Sequence, residues 1–552
     1  VTFLNKVLTR RDALRAGSAA AAYAALPASL TRAGLSARFA GTAPRRAEHR
    51  ALAVDTDTVR DLVHRAIDAA MHAGASYADA RITRTVSESF VGAGLLLDIE
   101  RLGIGVRVLV DGAWGFAASP YCDSDEAPQL GRDAVAQARV NARITPRRVE
   151  LGDYPAATGH WVTPIRIDPF TLSLEEKTDF VVSLAGLFPT HIRDRRIGGG
   201  LTSMFFQRQE RATGTSNDSY YTQTLYQAGG EFLVNATTMA GERPEIVVGT
   251  GLEAAGAGWE LMLDAKLREQ IPGMVEQVLA QMLLPHKPVE IGRYDVVCDA
   301  VTIANLVDVT IARATQIDRS LGYEANAGGT SYLGPDPMAH LGTTVLGAPL
   351  FTVTGDRQMA GGLATVKWDD EGVEPDVFPI IKSGRLVDYQ TTREQVAWLE
   401  PWYKKGGHPG RSHGCAWSSE ALDIPLQTAP NLTLEPGAQD LGFEQMVAGI
   451  KKGLAITKAQ VSTDFQSRNG SGGANVREIV NGKLGAVIDG SAFLFDSTHL
   501  WKNLVALGGA SSRVRAAASE VKGQPSQLNT HSISAVPAVL KDMIIVDSQR
   551  GF

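Results

Sequence analysis

Cysteine is scarce in this chain of 552 residues: Cys122, Cys298 and Cys415 lie far apart, with no Cys-x-x-Cys spacing. Neither a disulfide framework nor a cysteine zinc knuckle can organise the protein. Past the N-terminal segment no apolar run is long enough to cross a bilayer, and there is no low-complexity tract or short internal repeat. Gly103, Gly105, Gly112 and Gly115 fall inside strand-like segments rather than between a strand and a helix, which excludes a phosphate cradle built on them. A basic surface is also missing. The formal charge is −6, and because residues 1–50 hold nine Lys/Arg against two Asp/Glu, the rest of the chain carries −13. Nucleic-acid binding draws its affinity from cationic contacts to phosphate, so a body this acidic is unsuited to it.

With 44% hydrophobic and 21% charged residues, the chain has material for two globular domains and no sign of wholesale disorder. Its first 50 residues read as a leader. Arg10-Arg11 precede an alanine-rich stretch from Ala16 to Leu30, the pattern of a twin-arginine export signal, and a periplasmic or extracellular destination is expected.

The pattern then alternates between helix and strand. Val59, Leu62, Val63, Ile67 and Met71 recur at helical spacing before Gly74. Residues 77–90 and 95–110 read as strands, with Asp111-Gly112 as a tight hairpin turn. Helices are expected over 127–140, 173–185 and 262–284, a strand-rich stretch over 198–238 and a linker over 285–292. Beyond it a short strand, 294–298, leads into a helix over 300–319, and the remainder is mostly strands, with hairpin turns at Ser383-Gly384 and Asn481-Gly482. The expected fold is α+β: a leader over 1–50, an N-terminal hairpin-and-helix domain over 51–290 and a β-dominated C-terminal domain over 291–552.

Three blocks carry a family resemblance. The first joins Ala73-Gly74-Ala75-Ser76-Tyr77-Ala78-Asp79-Ala80-Arg81 to the hairpin Leu102 to Ala117. The second runs from Gly361-Gly362-Leu363 through Asp369-Asp370-Glu371-Gly372-Val373 to Ile381-Lys382-Ser383-Gly384-Arg385-Leu386. The third is Asn431-Leu432-Thr433-Leu434-Glu435-Pro436-Gly437 followed by Ala448-Gly449-Ile450-Lys451-Lys452-Gly453-Leu454. In order and spacing they resemble the TldD/PmbA family, bacterial proteins also called modulators of DNA gyrase and classed with metallopeptidases. The resemblance implies a two-domain α+β protein with a peptide-accommodating cleft, assembled as a homodimer or as a heterodimer of a catalytic and a non-catalytic chain.

Catalytic members carry His-Glu-x-x-x-His on a helix and a cysteine near the C-terminus. Two imidazoles and a thiolate hold zinc, and the glutamate takes a proton from the attacking water. Laid on that pattern, this chain has Val307 and Ala312 at the histidine positions and Asp308 at the glutamate. Residues 506–523, where the cysteine is expected, contain neither cysteine nor histidine. No zinc cofactor is therefore expected. Asp308 remains a weak candidate for a general base, although a carboxylate without a metal to acidify water has little hydrolytic power.

The other polar cluster is His408-Pro409-Gly410-Arg411-Ser412-His413-Gly414-Cys415. Two histidines and a cysteine this close could bind a soft divalent ion, making His408, His413 and Cys415 weak metal candidates, although the spacing matches no common zinc pattern. Arg411 and His413 are candidates for contacting a peptide carboxylate or carbonyl. The carboxylates Asp369, Asp370 and Glu371 read as structural acceptors of backbone N–H groups rather than as a calcium loop. Three functions stay open: a zinc-less, peptide-binding subunit of a dimer with a TldD/PmbA paralogue, a hydrolase with a metal site moved to His408, His413 and Cys415, and a stand-alone extracytoplasmic peptide-binding module.

Overall fold

Three two-residue turns, each with both central residues at positive φ, fold the chain back on itself: Asp111 (48°) with Gly112 (74°), Ser383 (48°) with Gly384 (78°), and Asn481 (48°) with Gly482 (76°). All three stand where the sequence places hairpins, because the twist of such turns matches that of the strands they join. The computed structural model describes residues 56–152, 154–192, 197–236, 246–407 and 409–548. The twin-arginine segment and His408 lie outside the described residues.

The N-terminal body opens with helix α1 (Asp57–His72), capped by the Thr56 hydroxyl on the Val59 N–H. Strands β1 (Tyr77–Val91), β2 (Gly94–Val110) and β3 (Ala113–Ser119) follow, then helix α2 (Glu126–Asn141). β4 (Thr158–Val162) precedes helix α3 (Leu174–Ala185), which starts in a Ser173/Glu176 capping box. β5 (Ile197–Thr215), β6 (Tyr220–Ala236) and β7 (Ile246–Gly249) complete a seven-stranded sheet of order β3-β2-β1-β5-β6-β4, with β7 also on β6. The helix expected over 262–284 is two, α4 (Glu260–Asp264) and α5 (Leu267–Met282). They part at Lys266, whose left-handed backbone (φ 46°) turns the chain onto a new axis.

Alternation along β1 explains why this sheet is covered on both faces. Ala78, Ala80 and Ile82 pack against Val59, Val63, Ala66 and Leu130 of α1 and α2. The intervening Asp79, Arg81, Thr83 and Thr85 are equally buried but polar. A period of two sends them to the opposite face, and there the C-terminal body covers them.

That body contains two sheets. β8 (His286–Pro288), β9 (Gly292–Cys298), β16 (Lys452–Thr463), β17 (Asn469–Val480), β18 (Lys483–Asp489), β19 (Ser491–Asp496), β20 (Leu504–Leu507) and β23 (Ala538–Asp547) form one. In it β16, β9, β23, β19 and β17 follow in order, and pairing of β16 with β17 closes the ring. The second sheet has order β12-β11-β10-β15-β22-β21, made of β10 (Val353–Asp356), β11 (Val377–Lys382), β12 (Arg385–Leu386), β15 (Asn431–Leu434), β21 (Val514–Lys522) and β22 (Gln527–Ala535). A short pair, β13 (Ala416–Trp417) and β14 (Leu426–Gln427), stands apart. Helix α6 (Ala300–Val307) lies in the main apolar core between these sheets, sharing it through Ile303 and Leu306 with Phe351, Ile380, Leu432, Phe493 and Trp501. The α+β expectation, with a β-dominated second half, is met.

The two bodies meet over buried charge. Asp79 accepts from the Arg107 Nε at 2.9 Å, Arg107 Nη2 stands 3.3 Å from Glu371, and Arg211 Nη2 reaches Asp370 at 2.5 Å. Asp370 also accepts from the Ser418 N–H and hydroxyl. Asp369 takes the N–H groups of Glu371, Val373 and Ala416, the structural role expected of this acidic run. Burial, reinforced by Glu371, pushes the Asp369 carboxyl up to about 8. Aromatic faces complete the seam, with the Arg211 guanidinium 3.8 Å from the Trp417 ring centre and that of Arg107 4.2 Å from Trp114. Removing one member strands its partner in a medium that cannot solvate it. Arg211→Met is expected to lower unfolding stability by about 3–5 kcal/mol, read from denaturant melts. An unshifted midpoint would mean that Ser418 and the more distant Arg81 carry Asp370 without it.

Candidate functional site

The helix expected over 300–319 is α-helical only to Val307. Asp308–Ala312 forms a π-turn, with the Arg313 N–H donating to the Asp308 carbonyl five residues back. The turn is held from outside: Gln390 donates to the Ala312 carbonyl at 2.7 Å, the Tyr332 hydroxyl to the Thr310 carbonyl at 2.9 Å, and Trp501 Nε1 to the Thr310 hydroxyl at 2.9 Å. Tertiary hydrogen bonds override the helical pattern here, and such turns recur at functional sites.

A bond spanning five residues stacks positions five apart, and Val307 and Ala312 are such a pair. Both are fully buried in the main apolar core. Their aliphatic side chains offer no lone pair, so this place does not fit zinc. Asp308 is committed as well: one carboxylate oxygen is 2.9 Å from His531 Nε2 and the other accepts from Arg313 Nη2 at 3.1 Å. Burial would raise its pKa, but Arg313 and His531 outweigh it and hold the carboxyl below its usual value. The result is an ion-paired carboxylate tying the π-turn to β22. His531 carries no local signal in the sequence, being one polar residue among several in β22. It is buried, and its Nδ1 has no hydrogen-bond partner among the described residues.

The loop after helix α7 (Arg393–Gly406) holds the remaining candidates. His413 is buried, with Nδ1 2.8 Å from Asp376 and Nε2 3.3 Å from Asp388. Its ring stacks on Phe378 at 3.6 Å between centres. Burial alone would lower its pKa, but the two carboxylates outweigh that effect and raise it to about 9. An imidazolium donating from both nitrogens has no lone pair for a metal. The Cys415 thiol, buried and pushed up to about 12, lies 3.9 Å from the His413 carbonyl. Arg411 stays partly exposed and leans on Asp376 at 3.6 Å. Among the described residues no group of three or more His, Cys, Asp or Glu side chains is arranged to hold a metal ion.

The same loop carries the Gly-x-Ser-x-Gly spacing of a serine nucleophile turn, in Gly410, Ser412 and Gly414. The structure denies it that role. Ser412 is fully buried, its hydroxyl donates to the Thr391 carbonyl at 3.3 Å and accepts from the Gly414 N–H, and no helix follows.

None of these residues lines the large cleft, about 750 Å³, which opens at the other end of α6. On its N-terminal side stand β7 and α5. Opposite them are the start of α6, helix α8 (Phe443–Ala448), β16, β17 and residues 511–514. A volume of this size is in the range that takes a ligand. Neither its residues nor His531 are marked by any motif.

The ion pairs of His413 give a signed pH dependence. Its folded pKa lies above the ordinary 6.5, so its contribution is complete below about 6.5 and is lost as pH rises through about 9. His413→Gln is expected to cost on the order of 3 kcal/mol at pH 6 and much less at pH 10, by thermal melts across that range. A pH-independent difference would contradict the charged imidazolium.

Comparison with known proteins agrees with this architecture. The model of the PmbA/TldA metallopeptidase C-terminal domain matches residues 291–543, and that of PmbA/TldA metallopeptidase domain 1 matches residues 78–142. A metalloprotease of Methanocaldococcus jannaschii is 24% identical over 356 residues, covering 64% of this chain and 71% of that protein. A putative modulator of DNA gyrase from Bacteroides thetaiotaomicron superposes with a TM-score of 0.63 at 18% identity, over 89% of this chain and 99% of that one. TldE from Thermococcus kodakarensis superposes at 0.60 and 15% identity, over 89% and 100%. With two models of one family together matching more than half of its length, the chain belongs to the PmbA/TldD family, with the metallopeptidase-like fold of that family.

Proposed function

We propose that this is a zinc-less member of the family that binds a peptide without cleaving it, as the non-catalytic subunit of a dimer with a paralogue that keeps its ligands. The observation that supports this reading is the state of the π-turn. Val307 and Ala312 fill the metal positions with buried aliphatic groups, and both oxygens of Asp308 are engaged by His531 and Arg313. A general base needs a free lone pair aimed at water and a metal or oxyanion donor to stabilise the developing charge. Asp308 has neither.

Binding survives the loss of chemistry because the cleft is built from other residues. Such a chain shapes or steadies a peptide for an active partner. The twin-arginine pattern before residue 50 motivates export, so both chains would meet outside the cytoplasm. The relocated hydrolase is the weaker reading, since His413 is cationic and the Cys415 thiol is protonated at neutral pH.

Purified protein is expected to contain far less than one zinc per chain by inductively coupled plasma measurement, and near-stoichiometric zinc would sink the reading. In a peptidase assay the chain alone is expected to be inactive, with Asp308→Asn indistinguishable from the unaltered protein. Zinc-dependent hydrolysis abolished by that substitution would restore the enzyme.

A further inference from the structure

Helix α7 meets the N-terminal body through its first turns. Arg393 Nη2 donates to the Gly152 carbonyl at 2.7 Å, and Glu394 accepts from Trp114 Nε1 on β3. Trp398, four residues beyond Glu394 and so on the same side of the helix, has the Arg147 guanidinium 5.0 Å from its ring centre. The Asp111-Gly112 turn beside Trp114 is tied to the chain that follows α2: Arg148 donates to the Asp111 carbonyl at 3.1 Å and the Val149 N–H to that of Gly112 at 2.8 Å. The turn, Trp114 and Arg147 therefore form one piece set against α7. Trp114 is also a lid, its ring over the Arg107 guanidinium and edge-on to Tyr77 at 6.0 Å between centres. Around Tyr77 bonds are left unmade. Its own hydroxyl has no hydrogen-bond partner among the described residues, nor do Nε and Nη1 of Arg393, whose guanidinium is 5.4 Å from the ring centre. Buried donors without partners favour a movement that admits water.

Glu394 fastens the lid, and opposed forces act on its carboxyl. It faces Arg107 on β2 and, within its own body, Glu371, Asp318 and Tyr323, with Arg147 beyond Tyr323. Its place in the first turn of α7 favours the ionised form, because unpaired N–H groups gather there. Enclosure between the bodies favours the neutral form and prevails. Burial pushes the carboxyl up to about 7, with Glu371 and Asp318 adding to the rise and the Trp114 hydrogen bond and Arg107 opposing it. Opened to water, the same group returns to its ordinary value of 4.5. Closure therefore takes up a proton: its advantage is complete below about 4.5, falls as pH rises and levels off above about 7.

We propose that Glu394 is a proton-operated latch between the two bodies: protonated, it holds the β2–β3 hairpin closed over Tyr77 and Arg107, and ionised, it releases Trp114 and lets water into the seam. The device needs no ligand and is independent of what the chain binds. Asp369 does not share the task, because its carboxylate is spent on three N–H groups of its own body.

The test uses the full chain labelled with 5-fluorotryptophan, the Trp114 fluorine signal being assigned by its loss in Trp114→Phe. In the unaltered protein that signal is expected to titrate between about pH 5 and pH 8. Over the same range, hydrogen-exchange protection of residues 111–117, corrected for the intrinsic pH dependence of exchange, is expected to fall about tenfold or more. Glu394→Gln keeps the shape and the acceptor for Trp114 but cannot ionise, so it is expected to abolish the titration and keep the hairpin protected throughout. Glu420→Gln, which alters a seam carboxylate paired with Arg101, is expected to leave the Trp114 titration in place. Thermal melts at pH 5 matched to the unaltered protein confirm that the variants fold, and the titration of the unaltered protein stands without them. A Trp114 signal that stays still, or that moves equally in Glu394→Gln, overturns the latch. Titration without loss of protection overturns it as well, since Glu394 would then change charge with the seam still closed.

Discussion

The charge seam between the two bodies is the constraint on which the rest depends. Asp79, Arg81, Arg107 and Arg211 occupy one face of the N-terminal sheet and are buried. Isolated charges cannot remain in such a place, because desolvation costs several kcal/mol for each ion. Asp370 and Glu371 from the other body answer them, while Asp369 ties its own loop to three backbone N–H groups. Set against an apolar neighbour, that face would bury its charges without partners. The cleft beside α6 inherits its geometry from this docking, since one wall belongs to each body. A seam of geometrically demanding guanidinium–carboxylate contacts holds those walls in register better than an apolar interface free to slide.

Much of this architecture is legible in the sequence, for physical reasons that act locally. Asp111-Gly112, Ser383-Gly384 and Asn481-Gly482 announce their turns because positive φ is cheap for those residues. The helix after Thr56 announces itself by period and cap. What escapes is decided by contacts distant in sequence. The apolar stripe over 300–319 is equally good for a continuous helix, and only Gln390, Tyr332 and Trp501, each from another element, pull it into a π-turn. Lys266 breaks a second helix without glycine or proline to mark the spot.

The site divides in the same way. Absence of ligands at Val307 and Ala312 is readable residue by residue, because no fold can make an aliphatic side chain coordinate a metal. The fate of His413 is not. A histidine in a glycine-rich loop suggests an exposed, adaptable side chain, and only the tertiary structure brings Asp376 and Asp388 to its two nitrogens. His531 is invisible for the complementary reason: in a strand of alternating polar residues nothing singles out the one that meets Asp308, which lies 223 residues away along the chain.

The π-turn is fixed to its surroundings by packing and charge together. Val307 and Ala312 sit in the main apolar core, and the Asp308 carboxylate, costly to bury bare, is neutralised by Arg313 and held by His531 on β22. Losing the first would leave a cavity and losing the second a buried unpaired charge, so the turn depends on both. Nδ1 of His531 has no hydrogen-bond partner among the described residues, so at this point close packing prevails over one unmade hydrogen bond.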